Sequence, residues 1–167
     1  MTVDDRTDGA GGAPLIALPE PARTGAVSME ETLTRRRSLR AFAPDPMSLQ
    51  DVGQLAWAAQ GITDASTGYR TAPSAGGTLP IEVDLLLHGA PGLEDGVYRY
   101  HPAEHALRLR RSGDLREAVT ASTMNQGFVR DAPVVVVVAF REAELAAALQ
   151  LAEGERPVYL MPVGRAG

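Results

Sequence analysis

The sequence contains no cysteine, which excludes disulfides, thiolate catalysis and zinc-thiolate sites and leaves the redox compartment open. No apolar run reaches the roughly 20 residues that a membrane span requires. The N-terminus has no basic opening of the secretory kind; it starts with acid, at Asp4, Asp5 and Asp8. A cytoplasmic protein with no membrane partner is therefore the default expectation. A large basic surface is also missing. The net charge is −5, and the one dense cluster of arginines is too small to be an electrostatic stripe, so nucleic acid is not an expected partner.

What is present suits one globular domain. The 167 residues are enough for a core and not comfortably for two domains, and 44% hydrophobic with 22% charged residues is an ordinary balance. Residues 1–21 are rich in glycine, alanine and proline and read as a flexible leader that lies down on the domain near its end. Residues 22–167 read as the domain. Ser28 to Arg37 reads as a helix with capping-box spacing, and Ser48 to Ala59 as a second, closed by Gly61. Strands are expected at Ile81–Leu87, Val97–Tyr100, Ala106–Arg110, Val134–Val138 and Val158–Val163. Short helices are expected at Asp114–Ala121 and Glu142–Leu151, and a polar, turn-rich stretch at Thr63–Thr71. The five valines of Val134–Val138 do not alternate with polar residues, which points to a central strand covered on both faces.

Two stretches carry chemistry. Arg35-Arg36-Arg37-Ser38-Leu39-Arg40 concentrates guanidinium forks beside a hydroxyl at the expected end of a helix, and Pro44 stops that helix from running on. Forks and a hydroxyl suit a phosphate. Cations in a last helical turn are equally favoured by the helix dipole, and on this stretch alone the two readings stand level. The second stretch is Pro73-Ser74-Ala75-Gly76-Gly77, where glycine lets backbone N–H groups approach a flat ligand or a phosphate. It is neither a Walker loop nor a dinucleotide fingerprint, and it runs into a strand, which excludes a nucleophile elbow. His88, His101 and His105 lack the spacing of a metal site, and Trp57, Tyr98 and Tyr100 read as packing. No pair of carboxylates has a spacing that suggests acid–base work, and no residue looks like a classical nucleophile or base. A phosphate knot, a glycine-rich loop and no side-chain catalyst together fit a cofactor that brings its own chemistry.

These residues resemble the nitroreductase-like flavoproteins, and more narrowly the SagB/ThcOx branch with its azoline dehydrogenases. The likeness rests on Ser28-Met29-Glu30-Glu31-Thr32-Leu33 followed by Arg36-Arg37-Ser38-Leu39-Arg40, on Leu55-Ala56-Trp57-Ala58-Ala59-Gln60-Gly61-Ile62, on Pro73-Ser74-Ala75-Gly76-Gly77 and on Gly96-Val97-Tyr98-Arg99-Tyr100. The resemblance implies an α+β fold with a central mixed β-sheet flanked by helices. It implies FMN, with Arg36, Arg37, Ser38 and Arg40 on the phosphate and ribityl chain and Pro73, Ser74, Ala75 and Gly76 along the ring. Arg165 is a weaker phosphate candidate and Gln126 a weaker ring candidate. Hydride transfer through the flavin, NAD(P)H as a candidate donor, a small-molecule or peptide-derived substrate and a homodimer follow from the same resemblance. The chain departs from the family between its valine strand and the next helix. Phe140-Arg141-Glu142 joins them directly, where the family has a long core helix. Losing that helix is expected to leave apolar faces uncovered, at roughly 25 cal/mol per Å². The alternative reading is therefore a truncated, inactive remnant, or an interaction partner of a full-length relative.

Overall fold

A computed structural model describes residues 13–74, 79, 81–140 and 158–163. The expected helix at Glu142–Leu151 lies outside them. Among the described residues, eight strands and four helices run in the order β1 (Leu15–Ala17), α1 (Met29–Arg35), α2 (Leu49–Gln60), β2 (Ile62–Asp64), β3 (Tyr69–Arg70), β4 (Ile81–Leu87), β5 (Gly96–His101), β6 (Ala106–Ser112), α3 (Arg116–Ser122), α4 (Gly127–Asp131), β7 (Val134–Phe140) and β8 (Val158–Val163). Six strands form one sheet in the order β1-β6-β5-β4-β7-β8, and β2 and β3 form a separate hairpin. The sheet expected to be mixed has an antiparallel ladder at every pairing among the described strands.

Alternation along the strands builds two cores. On one face Val83, Leu85 and Leu87 of β4 meet Val52 and Ala56 of α2, together with Tyr98, Tyr100, Leu107, Val134 and Val136. On the other face Leu86 and Val135 sit under Val129 and Ala132, flanked by Phe42, Val97, Leu115, Val119 and Phe128. The valine run thus sends alternate residues into both cores, between β4 and β8, as its unbroken apolarity predicts.

Local chemistry sets the ends. The Ser48 hydroxyl accepts from Asp51 N–H at 3.2 Å and caps α2. At the other end, a Cβ on Gly61 would sit 2.1 Å from Cδ1 of Trp57, so only glycine lets the indole fold back over the helix end. The Ser28 hydroxyl caps α1 in the same way at 3.1 Å. That helix stops at Arg35, two residues before the expected end, because Arg36 already has extended backbone with ψ 127°. The β2–β3 hairpin and α4 escaped the sequence reading because none of these elements is long enough to repeat a pattern. The hairpin turn itself is chemically plain. Asp64 accepts from Ser66 N–H at 2.8 Å, and Gly68 takes φ +72°. Inside the expected leader, Leu15–Ala17 pairs with Ala106–Arg108 as an edge strand.

Uncovered apolar faces are expected, but among the described side chains no large apolar residue of β4, β5 or β7 is exposed. The large apolar residues exposed among the described ones are Leu15, Val27, Met29, Leu33, Leu39, Tyr69 and Met124. The sheet face shared with α3 and α4 is instead ionic over β4 and β5. Arg99 donates from Nε to Asp84 Oδ1 at 2.6 Å, from Nη2 to Asp84 Oδ2 at 2.9 Å and from Nη1 to Glu82 Oε2 at 2.6 Å. All three side chains are less than one-fifth exposed. Burial opposes the Arg99 charge, but its hydrogen bonds and its attraction to the two carboxylates outweigh that and raise its pKa.

Removing this fork leaves two poorly hydrated carboxylates side by side. Arg99→Met is expected to cost about 3–5 kcal/mol in urea unfolding, as much as a full core cavity such as Leu85→Ala at about 2–5 kcal/mol. Arg99→Lys, which keeps the charge and loses the fork, should fall between wild type and Arg99→Met. A cost for Arg99→Met under about 1 kcal/mol, the level of an exposed ion pair, would mean the network is solvated.

Candidate functional site

The arginine stretch emerges just past α1. Arg36 is the C-cap residue, and its N–H donates to Thr32 O at 3.0 Å. Arg37 turns back on the helix end: its Nη1 donates to Thr34 O at 2.9 Å and Arg36 O at 2.7 Å. Arg35 pairs with Glu31 at 2.8 Å. Both therefore serve the helix, as the dipole reading requires. Arg40 lies over the Phe128 ring, 5.6 Å from its centroid. Arg36, Ser38 and Arg40 are exposed. The dipole reading thus accounts for Arg35 and Arg37.

In the second stretch, Pro73 is exposed and Ser74 half-buried, while Ala75 and Gly76 lie outside the described residues. The Ser74 hydroxyl accepts from Leu79 N–H at 2.8 Å. Leu79 holds φ +48°, a left-handed conformation that a branched apolar residue rarely takes. One serine therefore ties the two ends of the glycine-rich segment while the far end carries backbone strain. Among the described residues, no hydrogen bond or ion pair joins this loop to Arg36–Arg40. Gln126 sits half-buried at the start of α4, and Arg165 lies outside the described residues.

The arrangement places free guanidinium donors at a chain segment leading into Phe42, which packs on the second core. Such a set can hold an anion and has no acid–base pair aimed at it. A model of the nitroreductase family matches residues 33–143, well over half of the sequence. The chain belongs to the nitroreductase family. A putative nitroreductase of Methanocaldococcus jannaschii is 32% identical over 113 residues, which cover 68% of this chain and 57% of the relative. This chain thus spans little more than half the length of that curated relative. Among solved structures, a putative nitroreductase from Ralstonia eutropha superposes with TM-score 0.71 at 29% identity, covering 93% of each chain. One from Anabaena variabilis superposes with TM-score 0.57 at 25% identity over 70% of this chain and 24% of its own length. The nitroreductase-like α+β fold is established by these matches. No helix among the described residues is long and apolar enough to cross a membrane.

The histidines have structural partners. His105 Nε2 contacts Pro19 O at 2.9 Å, and a carbonyl can only accept, so Nε2 carries the proton. Its Nδ1 then accepts from the Tyr100 hydroxyl at 2.9 Å. This relay pins the segment after β1 to the β5–β6 turn. His88 Nδ1 meets Asp95 Oδ2 at 2.6 Å, and Gly89 N–H donates to the other Asp95 oxygen at 2.9 Å. Asp114 lies in the same group, with one possible ligand atom from each of the three residues inside 4.8 Å. Its carboxylate is already held by Arg116, whose hydrogen bonds bring its pKa down to about 2. Sequence reading missed this group because His88 and Asp95 stand at the two ends of the β4–β5 connection and Asp114 comes from the turn before α3.

Burial pushes the Tyr100 phenol up to about 12, although the Arg70 charge pulls it down. An unfolded tyrosine titrates near pH ~10. The raised folded value means that Tyr100 adds full stability below the unfolded pKa and loses it as pH rises from about 10 to about 12. Ultraviolet titration should show a late phenolate step that Tyr100→Phe removes, and the variant should keep more of its stability over that window. A Tyr100→Phe titration identical to wild type would place the late step on another tyrosine.

Proposed function

We propose that this chain is an FMN-dependent oxidoreductase of the SagB/ThcOx type. The single observation that carries the reading is the exposed, donor-rich set of Arg36, Ser38 and Arg40 immediately after α1, within a nitroreductase-family domain. In this reading Arg36 and Arg40 bind the phosphate, Ser38 donates its hydroxyl beside them, and Arg37 keeps the helix end closed so that the others project. Arg40 is already oriented by the Phe128 face, so little side-chain freedom is lost on binding. Pro73, Ser74, Ala75 and Gly76 border the ring, and the Ser74 hydroxyl is held by Leu79 N–H at 2.8 Å. Bound flavin would supply the hydride chemistry, with NAD(P)H as donor and a small-molecule or peptide-derived acceptor. The protein works in the cytoplasm.

The reading also needs a partner surface. Seven-residue α1 has no buried residue, with Met29 70% and Leu33 65% exposed one turn apart. Isolated helices under about 12–15 residues are marginal in water. A second copy of the chain would cover that face and complete a homodimer. The match to the Ralstonia structure over 93% of each chain supports a short form that stands as a fold in its own right, against a remnant.

Protein mixed with FMN and desalted should carry a flavin absorbance band. Arg36→Ala and Arg40→Ala should each weaken flavin affinity about tenfold, the equivalent of about 1.4 kcal/mol, in a fluorescence titration. A colourless protein fraction would sink the flavin reading. Separately, light scattering should report a dimer that Leu33→Asp converts to monomer; a monomeric wild type would remove the second copy from the proposal.

A further inference from the structure

The β5–β6 ladder contains one irregularity. Val97 pairs with Arg111 and Tyr98 with Leu109, so Arg110 is an extra residue on β6. Such a bulge breaks strict alternation and re-aims side chains. Here Arg110 and Arg111, which a regular strand would send to opposite faces, both line the same groove beside α3. Gly96 permits this, since a Cβ there would lie 2.5 Å from the Arg111 carbonyl oxygen. The groove has a volume of about 490 Å³, and Val97, Leu115 and Val119, all half-buried, give it an apolar floor, with Ala118 on its rim.

The charge on this face is unbalanced. Arg99 already satisfies Asp84 and Glu82, and Arg110 makes only a 3.4 Å contact to an Asp84 oxygen that accepts from Arg99. Its side chain is 46% exposed. Arg111 is exposed as well. Two forks therefore project beside an apolar floor, in a chain whose net charge is −5. A carboxylate satisfies such forks, and an alkyl or aryl body satisfies the floor.

We propose that this groove binds a small organic carboxylate with an apolar chain or ring. The site shares no residue with the flavin candidates, so it goes beyond that reading and stands or falls separately. The ligand's carboxylate lies between Arg110 and Arg111, and its apolar body lies along Val97, Leu115 and Val119.

The test is isothermal titration of the full chain, without flavin, using 4-phenylbutyrate and its uncharged amide. The carboxylate should bind, its affinity should fall with added salt, and the amide should bind about tenfold or more weakly. The Arg110→Ala/Arg111→Ala double variant should weaken the carboxylate by a similar factor. Ala118→Trp, an exposed helix position, should block the groove while leaving both charges in place. Circular dichroism checks that each variant is folded; if the double variant is not, Ala118→Trp decides. Equal binding of amide and carboxylate, unchanged binding in a folded variant, or no binding in the millimolar range would each overturn the proposal.

Discussion

The fork of Arg99 on Asp84 and Glu82 is the constraint on which the sheet depends. Strand alternation makes it unavoidable that β4 shows two different faces. Val83, Leu85 and Leu87 enter the core under α2, so Glu82, Asp84 and Leu86 must point the other way. Two carboxylates one pleat apart on a half-covered face repel each other and lose water. Arg99, the direct cross-strand partner of Asp84, answers both with one planar group. A lysine could offer one point charge in the same place and no second parallel bond. The ionic patch then fixes the register of β4 against β5, because a slip of one residue would drop both acids into the apolar core.

That network also changes what a short chain in this family needs. Loss of the family's long helix is expected to uncover apolar faces of the elements beside it. On the face shared with α3 and α4, apolar packing is concentrated around Leu86, Val97 and Val135, while the neighbouring β4–β5 surface is satisfied by charge. Satisfied ion pairs tolerate a wetter boundary than bare valine or leucine does. Of the large exposed apolar residues among the described ones, Val27, Met29, Leu33 and Leu39 lie on or beside α1, a helix without burial and so without stability of its own to spare. The two observations sit together: the β4–β5 surface is satisfied by charge, and α1 carries the largest group of exposed apolar side chains among the described residues.

Much of the fold was legible because its signals were long. The β8 bounds and the two core-facing registers of the valine run follow from unbroken apolar patterns, α2 follows from Ser48 and Gly61, and the β4 bounds were legible although Glu82 and Asp84 interrupt its apolar residues. What stayed hidden was short or non-local. A three-residue strand paired to a two-residue strand has no period to read, and α4 is one turn long. The Asp84–Arg99 pair was visible only as same-face acids at Glu82 and Asp84 and an arginine between two tyrosines. Nothing in the sequence states that the two strands are neighbours in that register.

The arginines show the same limit at the candidate site. The sequence has no lysine, so every side chain counted as basic is a guanidinium fork with the same charge. Identical forks then do different work according to what the backbone brings within reach, a hydrogen-bond acceptor or an aromatic face. Arg37 meets carbonyls left open at a helix end, Arg40 an aromatic face, and Arg99 two acids. Clustering in sequence is therefore a poor guide to shared function: within Arg35–Arg40, two guanidiniums are spent on the helix itself. Among the described residues, a helix end turns the Arg36 fork outward and the β6 bulge turns the Arg111 fork outward. Excess donor capacity at an exposed position, rather than local charge density, is what marks an arginine as available to a ligand.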